Sequence, residues 1–118
     1  MTPKQRNQDI HDEAHAAGHA AATRTQLNPF KIVCHRSKRT YDVPDTCGFA
    51  FIHFAGNTSF GRWAKNTGLA FRSSYWGGNM ISVHDYDQSM SRKSAYANAY
   101  AEVLRTHGIN AYSRSQID

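Results

Sequence analysis

The stretch Ser89–Tyr112, SMSRKSAYANAYAEVLRTHGINAY, decides how this chain is read. Tyr96, Ala97, Tyr100, Ala101 and Leu104 recur at helical spacing and form one packing face, so the stretch predicts a long helix over 91–107. Gly108 is the stop, and INAYSR (109–114) returns as a final strand. Arg92 and Lys93 fall in the first turn, where the helix already presents unpaired N–H groups and partial positive charge. Two cations there are unfavourable for an isolated helix. Their placement points to an anion, a phosphate or a partner's carboxylate, resting against that end.

Upstream, GFAFIHF (48–54) is the strongest strand. Phe49 and Phe51 lie on one side and Ala50, Ile52 and Phe54 on the other, so the strand is expected inside a sheet covered on both faces. Ser59 offers an N-cap to FGRWAKNTG, a short helix that packs through Phe60, Trp63 and Ala64 and stops at Gly68. Residues 80–86 alternate as a strand. Before them, FKIVC and TYDV flank a basic tip (Arg36, Lys38, Arg39) and read as a hairpin.

The segment QDIHDEAHAAGHAAA (8–22) is alanine-rich and helical, with Asp9, Asp12 and Glu13 placed early. Ile10 is its one large apolar residue, so the helix must dock through Ala14, Ala17, Gly18 and Ala21, or pair with a second copy as a homodimer. Residues 1–7 are expected to fray. The whole reads as α+β: a small mixed sheet of four to five strands with helices on one face. It divides into an N-terminal helical arm, 1–28, and a globular domain, 29–118.

Composition bounds the function. The 118 residues carry 14 Lys and Arg against 9 Asp and Glu, a formal net charge of +5, which favours anionic partners. Two cysteines, Cys34 and Cys47, match no paired zinc spacing and suit reduced, buried thiols; with no signal peptide and no ~20-residue apolar run, a cytoplasmic protein off the membrane is expected. His11, His15 and His19 lie one turn apart and can chelate a metal, or can simply form the polar face of a solvated helix. No nucleophile elbow, phosphate-binding glycine loop or carboxylate pair is present, and His84 and Asp85 alternate to opposite faces. No enzyme and no cofactor are expected, a metal-dependent enzyme on the histidine row being the remaining catalytic alternative.

The binding residues expected from the sequence are Arg62 and Lys65 on the short helix, Arg72, Tyr75 and Trp76 in and before a glycine-flanked loop, and Arg92 and Lys93. Cations fix phosphates, and exposed aromatic rings stack on bases. Trp63 is assigned to the core by its spacing from Phe60.

The segments CGFAFIHF, SYWGG, QSMSRKSAYANAYAEVLRTHGINAY and SRSQID resemble a group of small uncharacterised proteins of tailed phages and prophages. The likeness covers 47–118, and the ending Ser113–Asp118 departs from the compact Ser-Arg-Met-Asp of that group. The resemblance implies an accessory protein that inhibits or modulates host machinery or a host-defence system, in the manner of an anti-CRISPR, by stoichiometric binding to a host protein. The alternative is a module that binds nucleic acid or a nucleotide directly through its basic and aromatic surface.

Overall fold

A computed structural model describes residues 2–25, 30–34, 39–43, 48–73, 77–83 and 90–117; of 30–34, 39–43, 48, 116 and 117 it describes the backbone alone. The elements run α1 (Pro3–Arg24), β1 (Phe30–Cys34), β2 (Arg39–Val43), β3 (Gly48–Phe54), α2 (Ser59–Asn66), β4 (Phe71–Arg72), β5 (Asn79–Ser82), α3 (Met90–Thr106) and β6 (Ala111–Ile117). The α+β class is as expected.

β3 is the second-from-edge strand of a four-stranded sheet ordered β4-β5-β3-β6. Every pairing is antiparallel, so the expected mixed sheet is corrected. The crossover through α2 sets β4 down one strand away from β3, and β5 returns into the gap, antiparallel to both. β1 and β2 form the expected hairpin, Phe30 opposite Val43, but as a sheet of their own. β4 has no counterpart in the sequence reading, because two residues carry no period.

One face of this sheet holds the core. Ala50, Ile52 and Phe54 are fully buried against Ala97, Tyr100, Ala101 and Leu104 of α3, as the spacing of those residues predicts. Trp63 packs against the same cluster from α2. The other face is covered only in part: His53 and its cross-strand neighbour Met80 are buried, but Phe49 is 44% exposed and Phe51 half-buried. α3 ends where Gly108 adopts a φ of 78°, which lets Ile109 N–H return to the Leu104 carbonyl at 3.0 Å.

α1 begins earlier than its alanine content indicates. Thr2 caps it by accepting from Gln5 N–H at 3.1 Å, and Pro3 opens it with a pre-set φ. The acids therefore lie beyond the first turn, and Asp9 and Asp12 accept from Gln5 and Gln8 at 2.8 and 2.9 Å rather than facing the helix dipole. Nor is α1 an arm separate from the domain. Ile10, Ala14 and Ala22 belong to the same buried cluster as Ile52 and Leu104, and the small-residue face is used against α3 of the same chain. At Gly18 a Cβ would come within 2.7 Å of the Tyr96 ring, so glycine sets how closely the two helices approach. No helix among the described residues is long and apolar enough to cross a membrane.

Candidate functional site: a basic hollow at the end of the sheet

The turn that follows β3 and the short helix α2 build the site. α2 is capped one residue earlier than expected: Thr58, not Ser59, accepts from Gly61 N–H at 2.9 Å. Two buried asparagines pin the helix. Asn7 of α1 donates to Ser59 Oγ at 3.1 Å, and Asn79 of β5 donates to the Gly61 carbonyl at 2.9 Å. Gly61 is where α2 meets the turn, since any Cβ there would collide with the Ala55 carbonyl. Gly78, at a φ of 67°, brings the β4–β5 return against the end of β3, with a Cβ position only 2.7 Å from the Phe54 carbonyl.

These contacts enclose an open hollow of about 600 Å3 lined by the 55–57 turn, by Arg62, Lys65 and Asn66 of α2, by Arg72 of β4, and by Gly78 and Asn79. Three cations expected from scattered positions in the sequence thus meet at one place. No carboxylate among the described residues lines it. Arg62 is held at the turn by donating to the Asn57 carbonyl at 2.7 Å, and all three cations are exposed. Exposed amines and guanidiniums around a concavity of one sign raise the local concentration of anions.

A second hollow of about 380 Å3 between α1, α2 and the end of α3 contrasts with it. Arg6 and His107 line it, and both also line an adjoining hollow of about 300 Å3 together with Asp9 and Glu13, where His107 Nε2 lies 2.6 Å from Glu13 Oε2.

The remaining expectations divide. Lys93 is not a surface cation: it is 5% exposed, with its ammonium 5.8 Å from the centre of the Phe49 ring. Its long apolar stem lets it lie along the core while the charge meets an aromatic face. Arg92 is half-buried beside it. The start of α3 is therefore not the open cationic end that the sequence suggests. Tyr75 and Trp76 lie outside the described residues, as do Cys47, His35, Arg36, Lys38, His84, Asp85 and Asp87; of Cys34 and Arg39 only the backbone is described.

His11 Nδ1 lies 2.7 Å from the Tyr100 hydroxyl and His15 Nδ1 2.6 Å from the Tyr96 hydroxyl. The imidazoles stack along α1, with centroids 5.9 Å apart for His11–His15 and 6.4 Å for His15–His19. Histidines at i and i+4 on one helix meet tyrosines at i and i+4 on the other, so the stripe left open between chelation and a solvated face is a ladder of contacts between helices. Burial first, and then His15, lowers the His11 pKa, with Asp12 opposing. Burial, followed by Tyr96 and Asp12, raises that of Tyr100 well above its ordinary value. Both shifts favour the neutral forms of the pair. No group of three or more His, Cys, Asp or Glu among the described residues can hold a metal ion.

What sequence reasoning missed is the sheet face opposite the helices. Its clue was present: a strand apolar on both sides, in a chain with helices enough to cover only one. Comparison with family models, with curated proteins and with solved structures returns no match, so the site itself carries the functional argument.

Proposed function

We propose that this chain is a non-enzymatic, phage-type accessory protein that acts by stoichiometric binding, and that its contact is with the phosphates of nucleic acid through Arg62, Lys65 and Arg72. The observation that carries this reading is the convergence of those three cations on one hollow free of described carboxylates. Lysine and arginine at such a place act by displacing the counterions of a phosphate backbone, and the binding that results is steeply salt-dependent.

A second reading, contact with an acidic surface on a host or defence-system protein, is favoured by Phe71, which is 48% exposed next to Arg72. Exposed aromatics beside arginine are common at protein interfaces. Salt separates the two. Three phosphate contacts on a single strand give a log–log slope of about −2, hence about a 20-fold loss of affinity between 50 and 200 mM salt. Fluorescence anisotropy with a labelled oligonucleotide measures that slope. Reversing Arg62, Lys65 and Arg72 to Glu should abolish it. Failure to bind the oligonucleotide at 50 mM salt, or a slope near zero, refutes the phosphate reading.

A further inference from the structure

We propose that the open face of the four-stranded sheet is a stacking platform for the unpaired bases of single-stranded nucleic acid, whose backbone continues into the basic hollow; this rests on the reading of that hollow as a phosphate contact. In an antiparallel sheet with one face on the core, the other face ordinarily carries polar side chains. Here it carries aromatic ones. Alternation along β3 puts Phe49, Phe51 and His53 opposite the core face, and register adds the rest: Tyr112 across from His53, Arg114 across from Phe51, Met80 beyond His53, and Phe71 beyond Met80. Among the described residues the three exposed large hydrophobics, Phe49, Phe71 and Tyr112 (39%), all belong to this face, while His53 and Met80 between them are buried.

The Tyr112 ring is held in place by its neighbours. The Arg114 guanidinium lies 4.9 Å from the Tyr112 ring centre and donates to its hydroxyl at 3.1 Å. His53 packs under Tyr112 at 4.8 Å between centroids and is fixed by donating from Nε2 to the Gly77 carbonyl at 2.5 Å. One end of the β3–β6 surface thus pairs a ring, Tyr112, with a cation, Arg114, which is what a base and its phosphate require.

Charge favours the same occupant. The carboxylates whose side chains are described, Asp9, Asp12, Glu13 and Glu102, all belong to α1 and α3, and α3 packs on the other side of the sheet. The hollow is reached round the edge of the sheet: in β4, Phe71 lies on this face, while Arg72, paired with Asn79 and so on the face of Phe54, lines the hollow. Stacking tolerates any base, so the platform predicts single-strand binding with little sequence preference.

The test uses the full chain with three fluorescein-labelled probes: a dT 12-mer, a 12-mer of abasic sugars with the same charge, and a 12-base-pair duplex. The dT strand should bind at least about tenfold more tightly than the abasic strand, and Phe49→Ser and Tyr112→Ser should each weaken dT binding about 5- to 100-fold while leaving the abasic affinity unchanged. Equal affinity for dT and abasic strands, both lost in the Arg62→Glu/Lys65→Glu/Arg72→Glu variant, overturns the platform and leaves the hollow standing. Preference for the duplex overturns it too. Binding of no probe, or binding indifferent to the three reversals, overturns the hollow itself. A concentration-dependent dimer in sedimentation, dispersed by Phe49→Ser with no effect on nucleic acid, assigns the face to a second copy and overturns the proposal. If either serine variant fails to fold, the dT-against-abasic comparison on the unaltered chain decides.

Discussion

Replacing Tyr100 by Phe tests the histidine–tyrosine ladder with little change of shape. The Tyr100 ring is fully buried and stays so; only the hydroxyl facing His11 Nδ1 at 2.7 Å is lost. His11 is half-buried, so its ring nitrogen then keeps partial access to water instead of a full partner. Removing one partner of a hydrogen bond at such a site costs about 1–2 kcal/mol. A chain of 118 residues unfolds with an entropy of about 0.25 kcal/mol/K, at roughly 2.1 cal/mol/K per residue, so the loss appears as a Tm lowered by about 4–8 °C. Thermal melts followed by far-UV circular dichroism at pH 8, where His11 is neutral, measure it. A change below about 2 °C refutes the ladder as a structural contact and returns the histidines to a solvated helix face.

Two further perturbations probe the same interface. Because the folded state lowers the His11 pKa, the unfolded chain takes up a proton near pH 6.5 that the folded chain accepts only at lower pH. The stability held above pH 6.5 should therefore be lost as pH falls through that value, until the folded pKa is passed. Melts between pH 8 and pH 5 show this, His11→Gln should flatten the profile, and a Tm that rises on acidification contradicts the assignment. Gly18→Val should destabilise by about 1–3 kcal/mol through overlap with the Tyr96 ring, with partial recovery in the Gly18→Val/Tyr96→Leu double variant; urea titrations report both.

Much of the fold was legible where one residue pattern had one solution. The Tyr96–Tyr100–Leu104 face, the Gly108 stop and the β3 strand follow from period and steric permission alone. The Thr2-Pro3 start was legible too, from its cap signal, but alanine content drew the boundary inward. The site was legible only in part. Arg62 and Lys65 are three residues apart on a helix, yet nothing in the sequence says that Arg72 closes on them; that follows from β5 inserting between β3 and β4. Lys93 shows the converse. A cation in a first turn reads as exposed, and only the tertiary position of Phe49 explains why it is not. The histidine row stayed open between metal and solvent for a related reason: a spacing of four places side chains on one stripe, and what faces the stripe decides between metal, water and tyrosine.

The central claim, that Arg62, Lys65 and Arg72 act as a located site and not as a share of net charge, is tested most directly by two variants of equal charge. Arg62→Glu/Lys65→Glu/Arg72→Glu and Lys4→Glu/Arg6→Glu/Arg24→Glu each take the formal charge from +5 to −1, three reversals of two units each, and the second set lies exposed on α1. With a labelled single strand at 100 mM salt, the hollow variant should lose binding and the α1 variant should stay within a few-fold of the unaltered chain. Equal losses in both contradict the account.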